Sequence, residues 1–155
     1  MFSDKYLDED IFAERRRLWV ERFQNPTPTQ HIIVGEDDSN IRNGPTANLI
    51  GFACAFAHED PRWGSYLDNL HVLPSLKRQG IGARLTGHIA AWCAQTSPQE
   101  GMHLYVLEQN LNARKFYERI GGVVVEELVW LSPDGGNLKS LRYAWSDLAP
   151  LIALR

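Results

Sequence analysis

Between residues 6 and 24, the apolar positions Leu7, Ile11, Phe12, Leu18, Trp19 and Phe23 recur at helical spacing, with the run Glu14-Arg15-Arg16-Arg17 on the other face. The pattern predicts an amphipathic helix. Pro26 and Pro28 stop it. His31 to Val34 and Asn48 to Phe56 then read as strands, and the polar stretch DDSNIRNGPT between them suggests a hairpin. A third strand, Tyr66 to Leu73, closes at Pro74. After a pair of glycines, Ile81, Leu85, Ile89 and Trp92 share one helical stripe that ends near Ser97-Pro98-Gln99-Glu100-Gly101. A strand at Met102 to Leu107 and a short helix from Leu111 to Ile120 follow. Two last strands, Val123 to Leu131 and Leu138 to Trp145, are joined by Pro133-Asp134-Gly135-Gly136-Asn137. The predicted order, α-β-β-β-α-β-α-β-β, is that of an α/β (α+β) fold, without internal repeats or low-complexity segments.

At 155 residues and 44% hydrophobic, the chain suffices for one core, so residues 1–155 are expected to form a single domain. Sixteen basic against nineteen acidic residues leave a net charge of −3, which argues against nonspecific nucleic-acid binding; any anion site must be local. Cys54 and Cys93 stand apart in apolar surroundings, without zinc spacing or disulfide density, and read as buried thiols of a reducing compartment. No metal site is expected. No apolar run has the ~18 residues of a membrane span, and the opening MFSDKYLDED is acidic where a signal peptide is basic. A cytoplasmic protein is expected, with no membrane partner.

Leu76 to Leu85, LKRQGIGARL, sets three basic residues around Gly80-Ile81-Gly82 just before a helix. Glycines allow positive φ and close approach of a ligand, and a helix start presents free amides, so the local chemistry suits an anion. A phosphate-binding Walker loop fails here, because Gly82 is followed by Ala83-Arg84 rather than Lys-Ser/Thr. The dinucleotide fingerprint lacks its third glycine at Leu85 and its early parallel βαβ unit.

Leu70-His71-Val72-Leu73-Pro74, then Lys77-x-x-Gly80-x-Gly82-Ala83, then Asn110-x-x-Ala113-x-x-Phe116-Tyr117-Glu118-Arg119-Ile120-Gly121 resemble, in order, the motifs of the GNAT superfamily of acyl-CoA-dependent N-acetyltransferases. The resemblance implies a mixed, mostly antiparallel sheet flanked by helices, with a splayed strand pair at the cofactor site. It implies acetyl-CoA as cosubstrate, an amine as acceptor, and direct transfer in a ternary complex. Leu70, Val72, Lys77, Arg78, Gln79, Gly80, Ile81, Gly82, Ala83, Asn110 and Tyr117 would then bind the cofactor, with its pyrophosphate at the glycine loop and its sulfur near Tyr117. Lys77 stands where the family usually has Arg or Gln, and Gly122 replaces a frequent aromatic. The family usually opens with a strand and a helix before the segment that residues 6–23 resemble, so a missing first strand is expected. The uncovered edge beside the His31 strand would favour a homodimer.

Transfer needs a neutral amine. Deprotonating a lysine-like amine at pH 7 costs about 4.6 kcal/mol, an α-amino group only about 1.4 kcal/mol. Strand alternation puts Tyr66, Asp68 and Leu70 on one face, which makes Asp68 the first candidate base; Glu108, Tyr66, His71 or water are alternatives. Tyr117 is the candidate partner of the departing thiolate. Asn110 can cap its helix, and Phe116 reads as packing. Arg62, Trp63 and Tyr66 are positioned to face the acceptor, whose identity stays open. A noncatalytic acyl-CoA-binding regulatory module on the same fold is the alternative function.

Overall fold

Residues 10–37, 48–131 and 136–155 are described by a computed structural model. In chain order the elements are α1 (Asp10–Gln24), β1 (Gln30–Asp37), β2 (Asn48–Asp60), β3 (Gly64–Val72), α2 (Ile81–Thr96), β4 (Met102–Leu107), α3 (Leu111–Arg119), β5 (Val123–Leu131), β6 (Asn137–Trp145) and α4 (Ala149–Ile152). The strands form one sheet in the order β1-β2-β3-β4-β6-β5. Every neighbouring pair is antiparallel except β3 and β4. The fold is the predicted mixed α/β class. The DDSNIRNGPT turn, most of the loop before β6 and the first residues of the predicted front helix lie outside the described residues.

Period-two alternation explains both faces of β2. Ala53, Ala55 and Ala57 are buried on one side, where small side chains let α2 lie close. Leu85, Ile89 and Cys93, spaced by one turn, carry the apolar stripe of α2 into a core with Leu67, Met102, Leu104, Val106, Leu141 and Tyr143. On the other side of β2, Phe52 meets Trp19 of α1 edge-on at 5.1 Å, and Arg22 reaches the Cys54 sulfur at 4.0 Å. Both cysteines are free and buried, and burial pushes each thiol up to about 11.

Helix α4 was not predicted. Its four residues are too few for a readable period, yet Leu151 is wholly buried against α2. Truncating such a leucine costs roughly 2–5 kcal/mol. Strands β2 and β3 also run further than the sequence pattern suggests, meeting at Asp60 and Gly64. The polar residues His58 and Glu59 disguise that end, and His58 takes a positive φ of 60° where β2 bulges opposite Ser65.

A second bulge matters more. Ala55 pairs with Leu67 and Cys54 with Asn69, so Asp68 is an extra residue in β3. A bulge bends its strand and reverses the alternation beyond it. β3 is hydrogen-bonded to β4 only at Ser65–Met102 and Tyr66–His103, and the pairing stops just before Asp68. Past that point the two parallel strands separate, giving the predicted splay.

Candidate active site

The bulge corrects one sequence expectation. Tyr66, Asp68 and Leu70 do not share a face. Leu70 and Val72 pack against the α2-side core, whereas Tyr66 stacks on His103 at 5.3 Å and Asp68 pairs with Arg22 of α1. The splay therefore separates two environments.

On the α2 side lies a cleft of about 530 Å³. Its floor includes Leu70 and Val72 from β3, one wall is the loop and first turn of α2, and the other is α3. The loop turns sharply because Arg78 and Gly80 both have positive φ, 66° and 82°. Gly80 is the residue before α2 and, lacking a side chain, supplies no cap; the first turn contains no acid. The Arg84 amide is the first to find an intrahelical acceptor, the Gly80 carbonyl at 3.0 Å. The amides of Ile81, Gly82 and Ala83 are thus the helix's unbonded first-turn donors. Lys77, Arg78, Lys115 and Arg119 line the same cleft, and no acidic residue among the described ones does. In a chain of net charge −3, a bare helix start with Lys77 and Arg78 beside it and Lys115 and Arg119 on the facing wall makes a local anion site. The donor set fits a pyrophosphate.

Helix α3 supplies the opposite wall. Asn110 caps it by accepting the Ala113 amide at 3.2 Å, and Ala113, Tyr117 and Ile120 pack on the core at helical spacing. A Cβ on Gly82 would meet the Phe116 ring of α3 at 3.4 Å. Gly122, the departure from the family pattern, also has a reason. A Cβ there would lie 2.7 Å from the Trp145 indole, which occupies that space and donates to the Ile120 carbonyl at 3.0 Å. Tyr117 lines the cleft, and burial pushes its phenol up to about 12.

Of the residues singled out in the sequence, Leu70, Val72, Lys77, Arg78, Gly80, Ile81, Gly82, Ala83, Asn110 and Tyr117 all line this cleft. Gln79, exposed between two left-handed residues, does not, and neither does Asp68. Lys115, Arg119 and Asn112 were missed. Their one-turn spacing and neighbourhood to Tyr117 on α3 were the available signal.

The far face of the sheet holds Asp68. Its Oδ2 is 2.6 Å from Arg22 Nη1 and also accepts the Asn69 side-chain amide. The Arg22 guanidinium lies over Trp19 and Phe56 at 5.0 and 5.1 Å. Burial, reinforced by the Asp68 charge and a hydrogen bond to it, raises the Tyr66 phenol well above its usual value. Beside Tyr66, His103 is 3% exposed; burial and then Arg142 hold its pKa below the ordinary value, outweighing Asp60. Arg142 donates hydrogen bonds to Asp60 at 2.9 Å and to the Tyr105 hydroxyl, and its Nε forms an ion pair with Glu126 at 3.1 Å without a hydrogen bond. His71 is exposed, its ring tilted against Phe52 with centroids 5.7 Å apart, while Glu108 is exposed after β4. Among the described residues no group of three or more His, Cys, Asp or Glu is arranged to hold a metal ion.

The fold thus sets a bare helix start against a splayed strand pair, with a tyrosine on the opposite wall. Residues 2–122 match the acetyltransferase (GNAT) family, and the chain belongs to that family. It is 31% identical over 84 residues to the aminoalkylphosphonate N-acetyltransferase of Salmonella typhimurium, covering 52% of each chain. The chain thus spans about half the length of that curated relative. Its fold is similar to that of Arabidopsis thaliana NAA60 in complex with a bisubstrate analogue, with a TM-score of 0.66 and 21% identity over 86% of this chain and 93% of that one. It is also similar to a Bacillus anthracis acetyltransferase in complex with acetyl coenzyme A, with a TM-score of 0.62 and 21% identity over 77% and 63% of the two chains. Spermidine N-acetyltransferase SpeG from Vibrio cholerae gives a TM-score of 0.61 and 19% identity over 86% and 73%. No helix among the described residues is long and apolar enough to cross a membrane.

Proposed function

We propose that this chain moves an acetyl group from acetyl-CoA to a primary amine by direct transfer in a ternary complex. One observation carries the reading: unbonded helix amides, four cations and Tyr117 line a single cleft at the point where the sheet opens. Acetyl-CoA supplies an activated thioester, and the chain's residues hold and polarise it. The amides of Ile81 to Ala83, with Lys77 and Arg78, take the pyrophosphate. Backbone groups of β3 beyond Tyr66, freed by the splay, pair with the amides of the pantetheine arm. The amine nitrogen then bonds to the acetyl carbon as the carbon–sulfur bond breaks. The Tyr117 hydroxyl, kept protonated by burial, donates a hydrogen bond to the departing sulfur. Asp68, held by Arg22, Asn69 and the Tyr66 hydroxyl, accepts the amine's proton, directly or through water. The acceptors named for the relatives, aminoalkylphosphonate and spermidine, both carry a primary amine. The outer edge of β1, which pairs with no strand among the described residues, supports a homodimer formed through it.

The test is Tyr117→Phe, which keeps the ring and removes the hydroxyl. Single-turnover acetylation should slow by roughly 10- to 1,000-fold while acetyl-CoA affinity stays near wild type, because the lost interaction strengthens towards the transition state. A wild-type rate would make Tyr117 structural. Acetyl-CoA binding without transfer to any amine would leave a noncatalytic acyl-CoA-binding module.

A further inference from the structure

The charge balance of the far face points to the acceptor. We propose that the acceptor approaches the far face of the sheet, where Arg22, Asp68, Tyr105, Glu126 and Arg142 lie, and that this face selects a cationic primary amine with an apolar or aromatic body and no acid group. The inference rests on the acetyl-transfer reading, since it concerns the second substrate of the same reaction.

The donor cleft is walled by α2 and α3, so an amine that meets the thioester at the splay comes from the opposite face. Two arginines reach into that face, and both are spent. Arg22, 15% exposed, is held by Asp68 at 2.6 Å. Arg142, 12% exposed, is held by Asp60 at 2.9 Å and Glu126 at 3.1 Å. Three carboxylates thus meet two guanidiniums, and the excess charge falls at Glu126, 45% exposed. His103 adds no charge at neutral pH, because burial favours its uncharged ring. Arg62 lies over Trp63 at 4.6 Å, on the turn beside the paired end of β3, away from the gap. Neither of these two arginines is free to receive an acceptor's carboxylate or phosphonate, and to reach either one such a group would have to displace an existing ion pair or stand beside Glu126.

The rest of this face favours a cation with an apolar body. Tyr105 already carries the Arg142 guanidinium over its ring at 4.9 Å, as Phe56 and Trp19 carry Arg22. Ring faces are attractive to cations. Trp130, 49% exposed, meets Tyr105 edge-on at 5.8 Å and adds exposed apolar surface on the β5 side.

Matched acceptors isolate the acid group: phenethylamine against phenylalanine, cadaverine against lysine, and propylamine against 2-aminoethylphosphonate. Within each pair, kcat/KM for the full chain should favour the acid-free amine by at least roughly 10-fold, the consequence of setting like charges together. Glu126→Gln should narrow each ratio, by about 3-fold or more, as the surplus charge is removed. Ratios near one, or in favour of the acids, would overturn the proposal. A binding arm needs no turnover: with coenzyme A saturating, the amines should raise the melting temperature and the acids should not. If nothing is acetylated but this contrast holds, the transfer reading falls and the charge preference stands. If nothing is acetylated and the acids stabilise as well as the amines, or neither does, the charge preference falls too.

Discussion

Gly82 is the residue on which the donor site is most finely balanced. A methyl there would rest against Phe116 at 3.4 Å and Val72 at 3.7 Å, close to ordinary contact, whereas a longer side chain must enter the cleft beside the helix amides. Gly82→Ala should therefore bind acetyl-CoA within about 3-fold of wild type, and Gly82→Leu should lose roughly 10- to 100-fold, the worth of one charge-assisted hydrogen bond to the pyrophosphate. Calorimetry decides it; a leucine variant with unchanged affinity would remove the loop from the binding site. Much at this scale was legible in the sequence because the interactions are local. The glycine pair, Lys77 and Arg78 fall within six residues, and Asn110 caps a helix that begins at the next residue. The left-handed turn at Arg78 was not legible. Arginine has no preference for positive φ, and only the chain on either side imposes it.

The elements reveal what the pattern of residues could not. The order of helices and strands up to β6 follows from periodicity, but a single extra residue at Asp68 leaves no mark on composition, and it reverses every side chain beyond it. This is why Leu70 faces the α2-side cleft while Tyr66 and Asp68 face the other side of the sheet. The partner of Asp68 was equally hidden, since Arg22 lies in another element 46 positions earlier and read as one more charge on a helix face. Their ion pair ties α1 to the bulge. Arg22→Met keeps much of the packing on Trp19 and Phe56 but leaves Asp68, 20% exposed, without its cation. The loss should be about 1–3 kcal/mol by chemical denaturation, between the values for exposed and buried pairs. Amine kcat/KM should fall while acetyl-CoA affinity holds. Adding Asp68→Asn should restore part of the stability without restoring turnover, a coupling that a double-mutant cycle measures. If Arg22→Met costs neither stability nor activity, the pair is incidental.

At the scale of the whole molecule, the cleft beside α2 gathers four cations, and elsewhere two histidines resist protonation. His31 stacks on Trp92 at 4.8 Å, and His103 lies between Tyr66 and Tyr105; burial lowers the pKa of both. The unfolded chain binds these protons near pH 6.5, whereas the folded chain refuses them until lower pH. Above that value neither state is protonated and the histidines do not affect stability. As pH falls below it, the unfolded state gains a proton that the folded state does not, so stability drops until the folded pKa is passed. Asp60 acts in a separate window. Burial opposes its ionisation, but the Arg62 and Trp63 amides and then Arg142 hold it below the ordinary carboxylate range. Its stabilisation is present above its unfolded pKa of about 3.8 and is lost as pH falls through the lower folded value. The melting temperature of the wild type should therefore decline from about pH 6.5 to pH 5, before Asp60 contributes. His103→Phe keeps a stacked ring and removes the titrating group, so its decline over the same interval should be shallower, with His31 accounting for the remainder. A variant slope equal to that of the wild type would mean that His103 takes up its proton in the folded state as readily as in the unfolded one, and the far face would then gain a positive charge on mild acidification.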